Sequence, residues 1–392
     1  MRSDNEGFWY PEADKNVCIE CHLCEKVCPF LNQGASRKPQ AVYAAKNPDE
    51  AIRQESSSGG IFSMLAERII DEGGVVFGAC FDKQWNVVHD CVSTKNELFK
   101  FRGSKYVQSK IGETYKKAEI FLKENRKVLF SGTPCQIAGL RKFLRTDYDN
   151  LLTVDFICHG VPSPGVFRTY LQEEIGKVAA RQGCKKNTVL LPRIPLVSER
   201  DGLYGKDLEI KSISFRDKRN GWKKYGFALT LSKASAAGEK NSVLLSYSPL
   251  TKNLFLRGFL KNIYLRPSCY ACKTRDFRSG SDMTLADFWG IGKLNRSLDD
   301  DKGMSMLIVN SKRGLDYSKS VCDETCRFSE NEVRRFNPAA YYSCVEPTER
   351  KTFFTMGGSV HQRMAILARP TLRERTRSFL KTIVRDFLRI KA

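Results

Sequence analysis

The amino-acid sequence predicts an α/β protein, α+β overall, with a mostly parallel sheet core and a β-rich insertion. Three observations carry this prediction. From about residue 56, apolar runs of strand length alternate with stretches of helical periodicity, a pattern typical of parallel sheets. Residues 185–250 are more polar and contain β-like runs, and residues 12–33 form a separate cysteine-rich segment. We therefore expect a small N-terminal segment over residues 1–35, ahead of the sheet.

The predicted elements of the sheet follow in order along the chain. Residues 61–70 have helical periodicity, and the glycine pair Gly73-Gly74 ends that helix before an apolar strand. A second strand, a helix and a third strand follow, and the broken segment Cys158-His-Gly-Val-Pro162 ends the last of them. The predicted strands cover residues 75–80, 127–131 and 151–157, and the second helix covers residues 136–144.

Length, charge and cysteine content limit the class of protein. The 392 residues are enough for two or three domains, and no run is long and apolar enough for a membrane-spanning helix. The polar N-terminus is not a signal peptide, so fourteen cysteines predict a reducing, cytoplasmic location. A formal net charge of +21 predicts an acidic partner: nucleic acid, an anionic membrane, an acidic electron carrier or a phosphorylated substrate.

One cysteine run near the N-terminus indicates electron transfer. Cys18, Cys21, Cys24 and Cys28-Pro29 have the spacing of the bacterial ferredoxin run that holds a [4Fe–4S] cluster. Buried or disulfide-bonded cysteines are the alternative, and it must explain four cysteines within eleven residues. Two-cluster ferredoxins use two such runs, whereas this sequence has one. We therefore expect a first run upstream of Met1. If it is missing, three cysteines lack their fourth ligand and Cys28 lacks its cluster.

Four further cysteines form a second candidate metal site. Cys135 and Cys158 each follow a predicted strand, and the carboxyl ends of neighbouring parallel strands line the binding crevice of an α/β sheet. Cys269-x-x-Cys272 supplies two more thiols. A zinc knuckle built from the same cysteines, or a thiol pair plus two core cysteines, also fits this spacing. Cys80 lies in an apolar strand and is expected in the core.

Two glycine-containing turns and one charged stretch are weaker signals. Ser56-Ser-Ser-Gly-Gly60 before a helix could cradle phosphate, although the segment by itself favours an ordinary serine N-cap followed by glycine. Gly103-Ser-Lys-Tyr106 offers a lysine and two hydroxyls to a phosphate or carboxylate. Residues 217–225 interleave charges and aromatic rings, for which we expect a solvated hairpin rather than a base-stacking surface.

The motifs occur together in an order that resembles the coenzyme F420 hydrogenase/dehydrogenase beta subunit family. The resemblance covers residues 12–310 and is closest to a bacterial branch with N-terminal ferredoxin motifs, similar to proteins of surface-polysaccharide loci. The motifs that carry it are Ser57-Ser-Gly-Gly60, Gly103-Ser-Lys-Tyr106, Phe130-Ser-Gly-Thr-Pro-Cys-Gln136, Cys158-His-Gly-Val-Pro162, Phe215-Arg-Asp-Lys218, Cys269-x-x-Cys272 and Ala286-Asp-Phe-Trp-Gly290.

The resemblance implies FAD beside a [4Fe–4S] cluster held by Cys135, Cys158, Cys269 and Cys272. It also implies an N-terminal α/β module over residues 48–125 and a C-terminal module with the flavin and the second cluster over residues 126–345, ahead of a basic helical tail, 346–392. On this basis His159 and Lys105 are candidate catalytic residues. The expected cofactor contacts are Ser57, Ser58, Gly59, Gly60, Ser104, Lys105, Gly132, Thr133 and Gln136.

The function expected from these features is an oxidoreductase. An acidic ferredoxin would dock on a basic surface near Cys18–Cys28, and electrons would pass through the clusters and FAD to an organic substrate, with flow in either direction allowed. Coenzyme F420 or a sugar intermediate of surface polysaccharide biosynthesis is the candidate substrate. The alternatives are a non-catalytic electron-transfer subunit and a zinc-bearing nucleic-acid-binding protein.

The basic tail allows two interpretations. Residues 363–392 carry nine Lys/Arg and two acidic residues, with apolar residues at helical spacing. Such a segment can lie on the inner face of an anionic membrane. A C-terminal helix that packs its apolar side on the protein body is the other interpretation.

Overall fold

A computed structural model describes residues 1–181, 208–233, 242–322 and 326–369. Its strands are β1 Arg2–Ser3, β2 Trp9–Tyr10, β3 Ala41–Ala45, β4 Val75–Phe81, β5 Val87–Val92, β6 Val128–Gly132, β7 Leu151–Phe156, β8 Leu208–Asp217, β9 Gly226–Lys233, β10 Ser242–Pro249, β11 Met283–Asp287, β12 Ser305–Val309 and β13 Arg327–Phe328. Its α-helices are α1 Leu23–Lys26, α2 Glu50–Glu55, α3 Ile61–Asp71, α4 Thr114–Lys123, α5 Pro134–Leu144, α6 Pro164–Arg181, α7 Leu254–Leu260, α8 Pro267–Tyr270, α9 Ile291–Leu294, α10 Lys312–Ser318, α11 Glu330–Phe336, α12 Glu349–Thr355 and α13 Val360–Leu367.

The main sheet has eight described strands in the order β13-β3-β12-β11-β7-β6-β4-β5. The four strands β11, β7, β6 and β4 are parallel to their neighbours within this central group. The flanking strands pair antiparallel. The predicted α/β class is therefore confirmed, but the sheet is mixed rather than mostly parallel, because β12 returns antiparallel beside β11 and then pairs with β3.

The central strands form where the sequence is apolar on both faces. In β7, Leu151 through Asp155 are buried, and β6 is nearly as enclosed. Helix α3 packs its apolar side on one face of the sheet, and α4 and α5 pack on the other. A strand that is buried on both faces has a nearly continuous apolar sequence. The sequence therefore predicted β4, β6 and β7 correctly. Cys80 is 4% exposed in β4, as expected for a core position.

The β-rich insertion is a separate antiparallel sheet of the strands β10, β9 and β8. Its inner face packs with α6, α7 and α13 around aromatic side chains. The turn between β8 and β9 is not a solvated hairpin as the sequence suggested, because Trp222 is 1% exposed and Lys218 is 6% exposed. The turn folds inward against the ends of β11 and β12. The first part of the predicted insertion, residues 185–207, lies outside the described residues.

The chain after residue 345 is helical, as expected, in α12 and α13. Arg363 and Met364, which begin the strongly basic stretch 363–392 of the tail, are buried, and Arg363 donates to the carbonyl oxygens of Gly358 and Phe353. This part of the tail therefore packs on the protein body. Residues 370–392 lie outside the described residues. Among the helices that the structure describes, none has the length and apolar character needed to cross a bilayer.

Candidate functional site

Neighbouring strands bring Cys135 and Cys158 to one edge of the sheet. Strands β6 and β7 pair parallel, with Gly132 opposite Asp155 at their carboxyl ends. Cys135 lies in the first turn of α5, two residues after the N-cap Thr133. The Thr133 Oγ1 atom is 3.1 Å from the Cys135 sulfur. The prediction that both cysteines follow adjacent strand ends is confirmed.

The Cys269-x-x-Cys272 pair reaches the same edge through a crossing of two loops. Pro162 forms an isolated antiparallel bridge with Leu265, and the Arg266 amide donates to the Val161 carbonyl at 2.9 Å. Helix α8 then starts at Pro267 and carries Cys269, and the amide of Cys272 donates to Ser343 Oγ at 3.0 Å. The two cysteine segments therefore approach each other although 111 residues separate Cys158 from Cys269.

The electrostatics of the thiols show that the four cysteines share one neighbourhood. Burial raises the pKa of the Cys158 thiol well above its usual value, and negative charge on Cys269, Cys135 or Cys272 raises it further. Burial likewise raises the pKa of Cys269 to about 12, with contributions from Cys135 and Cys272. Because thiols shift one another's pKa only at short range, a cation is needed to hold this group as thiolates.

The donor set fits a four-iron cluster. Among the described residues, no three histidine, cysteine or carboxylate side chains converge as ligands of a single ion would. A [4Fe–4S] cluster needs something different, because each thiolate binds its own iron and the sulfurs stand around the cluster. Cys344 adds a fifth thiol nearby, with its sulfur 3.6 Å from the Cys269 carbonyl oxygen.

The N-terminal cysteine run lies on the surface. Cys18, Cys21 and Cys24 are exposed and Cys28 is half-buried. The segment around them holds the short helix α1 and also exposes large apolar side chains, namely Val17, Ile19, Leu23, Phe30 and Leu31. Residues 1–33 carry three Lys/Arg and six Asp/Glu. The expected basic docking surface near Cys18–Cys28 is therefore not formed by this segment, whose formal charge is 3 − 6 = −3.

The two glycine-containing turns contact one another. Ser57 Oγ is 2.7 Å from Ser104 Oγ and accepts from the Ser104 amide at 2.6 Å. Ser58 Oγ donates to the Met304 carbonyl at 2.7 Å. The N-cap of α3 is Gly60 with φ +81°, not a serine as the simple interpretation of the sequence had it. The serine hydroxyls thus hold the turns together and fix the loop to the start of β12.

Lys105 is engaged by main-chain carbonyls. Its ammonium donates to the carbonyl oxygens of Lys100, Arg102 and Gly103 at 2.9, 3.0 and 3.2 Å. Burial lowers the pKa of Lys105 to about 8. The side chain therefore closes the C-terminal end of the 3₁₀-helix Lys95–Phe101, which is the arrangement of a positioning residue.

Gly132, Thr133 and Gln136 shape the start of α5. Thr133 and Gln136 form a capping box, in which the Thr133 amide donates to Gln136 Oε1 at 2.9 Å. A side chain at position 132 would meet Gln136 Oε1 at 3.1 Å and His89 Nε2 at 3.4 Å. These three residues fix the helical turn that carries Cys135.

His159 is half-buried beside Cys158. Its Nε2 atom lies 2.6 Å from Asn262 Oδ1, and its ring packs edge-on against Phe259. Burial lowers the pKa of the imidazole, and hydrogen bonds to Asn262 and to the main chain of Phe259 act against that shift. These two partners fix the ring beside Cys158.

Sequence reasoning missed a second group of side chains, although two motifs of the resemblance contain it. Arg216 of Phe215-Arg-Asp-Lys218 pairs with Asp287 of Ala286-Asp-Phe-Trp-Gly290. Trp222 donates to the same carboxylate at 3.0 Å and stacks on Trp289, with ring centroids 4.7 Å apart. Arg216 keeps Nε and Nη2 buried without a partner in the described structure. Arg216 and Asp287 are seventy-one residues apart, and neither motif alone indicated that the two side chains pair.

Comparison with known proteins agrees with this assembly of motifs. Residues 42–115 match the N-terminal domain of the coenzyme F420 hydrogenase/dehydrogenase beta subunit, and residues 125–190 match its C terminus. The first match contains both glycine-containing turns, and the second contains Cys135 and Cys158. The structure defines the class of this protein: an α/β protein whose thiols gather at the carboxyl edge of the sheet. Over these two segments the chain is similar to the coenzyme F420 hydrogenase/dehydrogenase beta subunit family.

Individual relatives match part of the chain. An uncharacterized protein of Methanocaldococcus jannaschii is 27% identical over 146 residues, 34% of this chain and 39% of that protein. The coenzyme F420-dependent sulfite reductase of the same organism is 27% identical over 164 residues, 33% of this chain and 26% of that protein. The chain thus spans well under half the length of these relatives. A chain of the F420-reducing [NiFe] hydrogenase complex from Methanosarcina barkeri aligns with TM-score 0.44 at 16% identity, covering 80% of this chain and 89% of that chain.

Proposed function

We propose that this protein is an iron–sulfur flavoprotein oxidoreductase, which passes electrons between a ferredoxin-like carrier and an organic hydride donor or acceptor. One observation carries the proposal: three separate chain segments bring Cys135, Cys158, Cys269 and Cys272 into one electrostatic neighbourhood. A protein gains little stability from grouping four thiols without a metal to neutralise their thiolate charges. Similarity to the family supports the same redox assignment.

The inner site would hold a [4Fe–4S] cluster, which supplies one-electron transfer when bound. The chain's own residues prepare its ligands. Arg275 holds the main chain at Cys158, and Thr133 and Gln136 fix the turn with Cys135. Arg275 and Arg266 place positive charge near the thiols, which favours their deprotonation.

The outer site would use Cys18, Cys21, Cys24 and Cys28. Exposed cysteines at ferredoxin spacing suit an entry point, because an external carrier must approach closely for electron transfer. The exposed apolar side chains of the segment and its negative formal charge indicate that the carrier contacts apolar surface here. Attraction of an acidic ferredoxin would have to come from residues outside this segment, since the whole protein carries a formal charge of +21.

FAD is the cofactor that we propose between the clusters and the substrate. Clusters pass single electrons, whereas a hydride carrier takes two, so a flavin must convert between them. The proposed contacts are the two turns with Ser57, Ser58, Gly59, Gly60 and Ser104, the capping residues Gly132, Thr133 and Gln136, and Lys105 behind them. The unpartnered donors of Arg216 are further candidates. His159 is the proposed proton donor or acceptor for the substrate, with Lys105 as a positioning residue.

The test is anaerobic purification followed by iron, sulfide, zinc and flavin analysis and electron paramagnetic resonance of the reduced protein. Cys272→Ser should remove about four iron atoms and one cluster signal. The matched control, Cys91→Ser, changes a cysteine on β5 that is not part of either cysteine group and should leave the iron content unchanged. A colourless protein with stoichiometric zinc, or unchanged iron in Cys272→Ser, would contradict the proposal.

A second candidate is an electron-transfer module that requires another polypeptide for chemistry. It is favoured by the lengths of the relatives, because the chain covers only 26% of the sulfite reductase. The two candidates differ in one measurement: whether the purified chain alone oxidises reduced ferredoxin or dithionite with a soluble acceptor. Coenzyme F420 and nucleotide sugars, the latter for a role in surface polysaccharide biosynthesis, are the first acceptors to try.

A further inference from the structure

A cavity of about 400 Å³ lies beside the inner thiol group. Cys272 is the one member of that group in its wall, so the cavity borders the proposed cluster site. Four cationic side chains line it: Lys273, Arg275, Arg278 and Arg334. The volume falls in the range of pockets that hold small organic ligands.

The cations of this pocket are incompletely neutralised. Asp276, the carboxylate in the wall, accepts from Ser36 at 2.5 Å and is 3.9 Å from Arg278. Arg334 pairs with Glu330 at 2.9 Å. Lys273 and Arg275 have no carboxylate partner within the described parts of the chain. Their two charges are available to an anion, with Arg278 shared.

Arg275 in particular is built for an oxyanion. The residue is 8% exposed, and its guanidinium donates only to main-chain carbonyl oxygens, so its full charge remains. Its Nε donor is buried and has no partner in the described structure. Guanidinium groups bind phosphate through parallel hydrogen bonds, and a diphosphate offers more negative charge to the four cations than a small dicarboxylate does.

Aromatic side chains form the other wall of the pocket. The Arg334 guanidinium lies 3.8 Å from the Tyr341 ring centroid, which fixes that tyrosine. Tyr342 is 66% exposed and has no side-chain hydrogen bond in the described structure. A planar ring or a sugar can pack on such a tyrosine while its phosphate groups reach the cations.

We propose that this pocket binds a phosphorylated small molecule that carries at least two negative charges and a ring or sugar body. A role of this pocket as the substrate site of the enzyme rests on the proposed oxidoreductase function, whereas binding of the ligand does not. Binding itself depends on Lys273, Arg275, Arg278 and Tyr342 and requires neither cluster nor flavin.

The test is isothermal titration of the full chain with four probes: uridine diphosphate, pyrophosphate, uridine and malonate. We expect one site for the first two and no binding of the others. Lys273→Glu should weaken both phosphate ligands at least about tenfold, since a hydrogen bond to a charged group contributes that much. Lys83→Glu, the same charge change at an exposed residue in the β4–β5 turn, should leave the affinities unchanged.

Tyr342→Ala separates the ring contact from the phosphate contact. It should weaken binding of uridine diphosphate and leave binding of pyrophosphate unaffected. This variant also provides a second test if the Lys273→Glu protein does not fold. Equal affinity of the Lys273→Glu and unaltered proteins, or malonate as tight as pyrophosphate, would overturn the proposal. Iron analysis of the same samples keeps the two hypotheses apart: a protein without iron contradicts the oxidoreductase proposal alone, because the titration measures binding only.

Discussion

The guanidinium of Arg275 donates to the main-chain carbonyl oxygen of Cys158. Arg275 follows Cys272 by three residues, so one side chain joins the two segments that carry the inner thiols. It also donates to the carbonyl oxygens of His159, at 3.1 Å, and Ala339. The carboxyl edge of β7 is therefore held from the opposite loop by a buried cation.

Replacing Arg275 should loosen the inner thiol group before it affects the outer one. We expect Arg275→Ala to lower the free energy of unfolding by about 3 kcal/mol, because three carbonyl acceptors lose a charged donor. Arg275→Lys should restore part of that stability but not the forked geometry. The measurement is urea unfolding together with iron retention under a chelator. Loss of the Cys18–Cys28 iron first would contradict this prediction.

The pair Arg216–Asp287 should be strongly coupled. Both side chains are largely buried, and Trp222 donates to the same carboxylate. Arg216→Ala leaves that carboxylate with one neutral donor, so we expect a loss of about 3–5 kcal/mol in unfolding free energy. The exposed pair Lys116–Glu113 is the matched control, where removal of the lysine should cost less than about 1 kcal/mol. Similar costs at the two sites would refute the coupling.

Gly59 and Gly176 should respond in opposite directions to the same substitution. A side chain at Gly59 would meet the Ala45 carbonyl oxygen at 2.6 Å and the Ser305 amide nitrogen at 2.7 Å, both main-chain atoms of the sheet. Gly59→Ala should therefore destabilise by about 2 kcal/mol or more. Gly176, in the middle of α6, has open space, and Gly176→Ala should stabilise by about 0.5–1 kcal/mol. Thermal unfolding of both variants measures the difference.

The stability that His361 contributes should fall as pH rises. Burial lowers the pKa of the imidazole, but hydrogen bonds to Glu173 and Glu174 outweigh that and raise it above its ordinary value. Lys177, which pairs with Glu174 at 3.0 Å, is the cation that opposes this effect. A raised pKa in the folded protein gives stability that is fully present below the unfolded value of about 6.5 and is lost as pH rises through the folded value.

The measurement is the difference in unfolding free energy between the unaltered protein and His361→Gln. This difference should be larger at about pH 6 than at about pH 9. A pH-independent difference would show that the imidazole acts through packing on Tyr170 alone, where the rings stack 5.1 Å apart.

Three strands of the parallel group, β4, β6 and β7, were predictable from sequence because they are short, mostly apolar and followed by distinct turn residues, whereas β11 was not predicted. The antiparallel half was not predictable, since β3 and β12 pair across 260 residues (305 − 45), and no local pattern reports such a partner. The residues of the inner thiol site likewise include some that the sequence predicted and one that it did not. Cys135 and Cys158 follow strand ends and were placed correctly, whereas Arg275 has no motif spacing and its role depends on a crossing of distant loops.

The segment that forms the β8–β10 sheet lies between Cys158 and Cys269 in the sequence. It is therefore synthesised after the first of these cysteines and before the second. During synthesis the two early cysteines emerge long before the later pair, so the inner thiols cannot meet until the inserted sheet has been made and the Pro162–Leu265 bridge has closed. If the proposed cluster binds at these thiols, iron delivered earlier would find only half of its ligands. We therefore expect variants that slow folding of the insertion to accumulate as iron-poor chains.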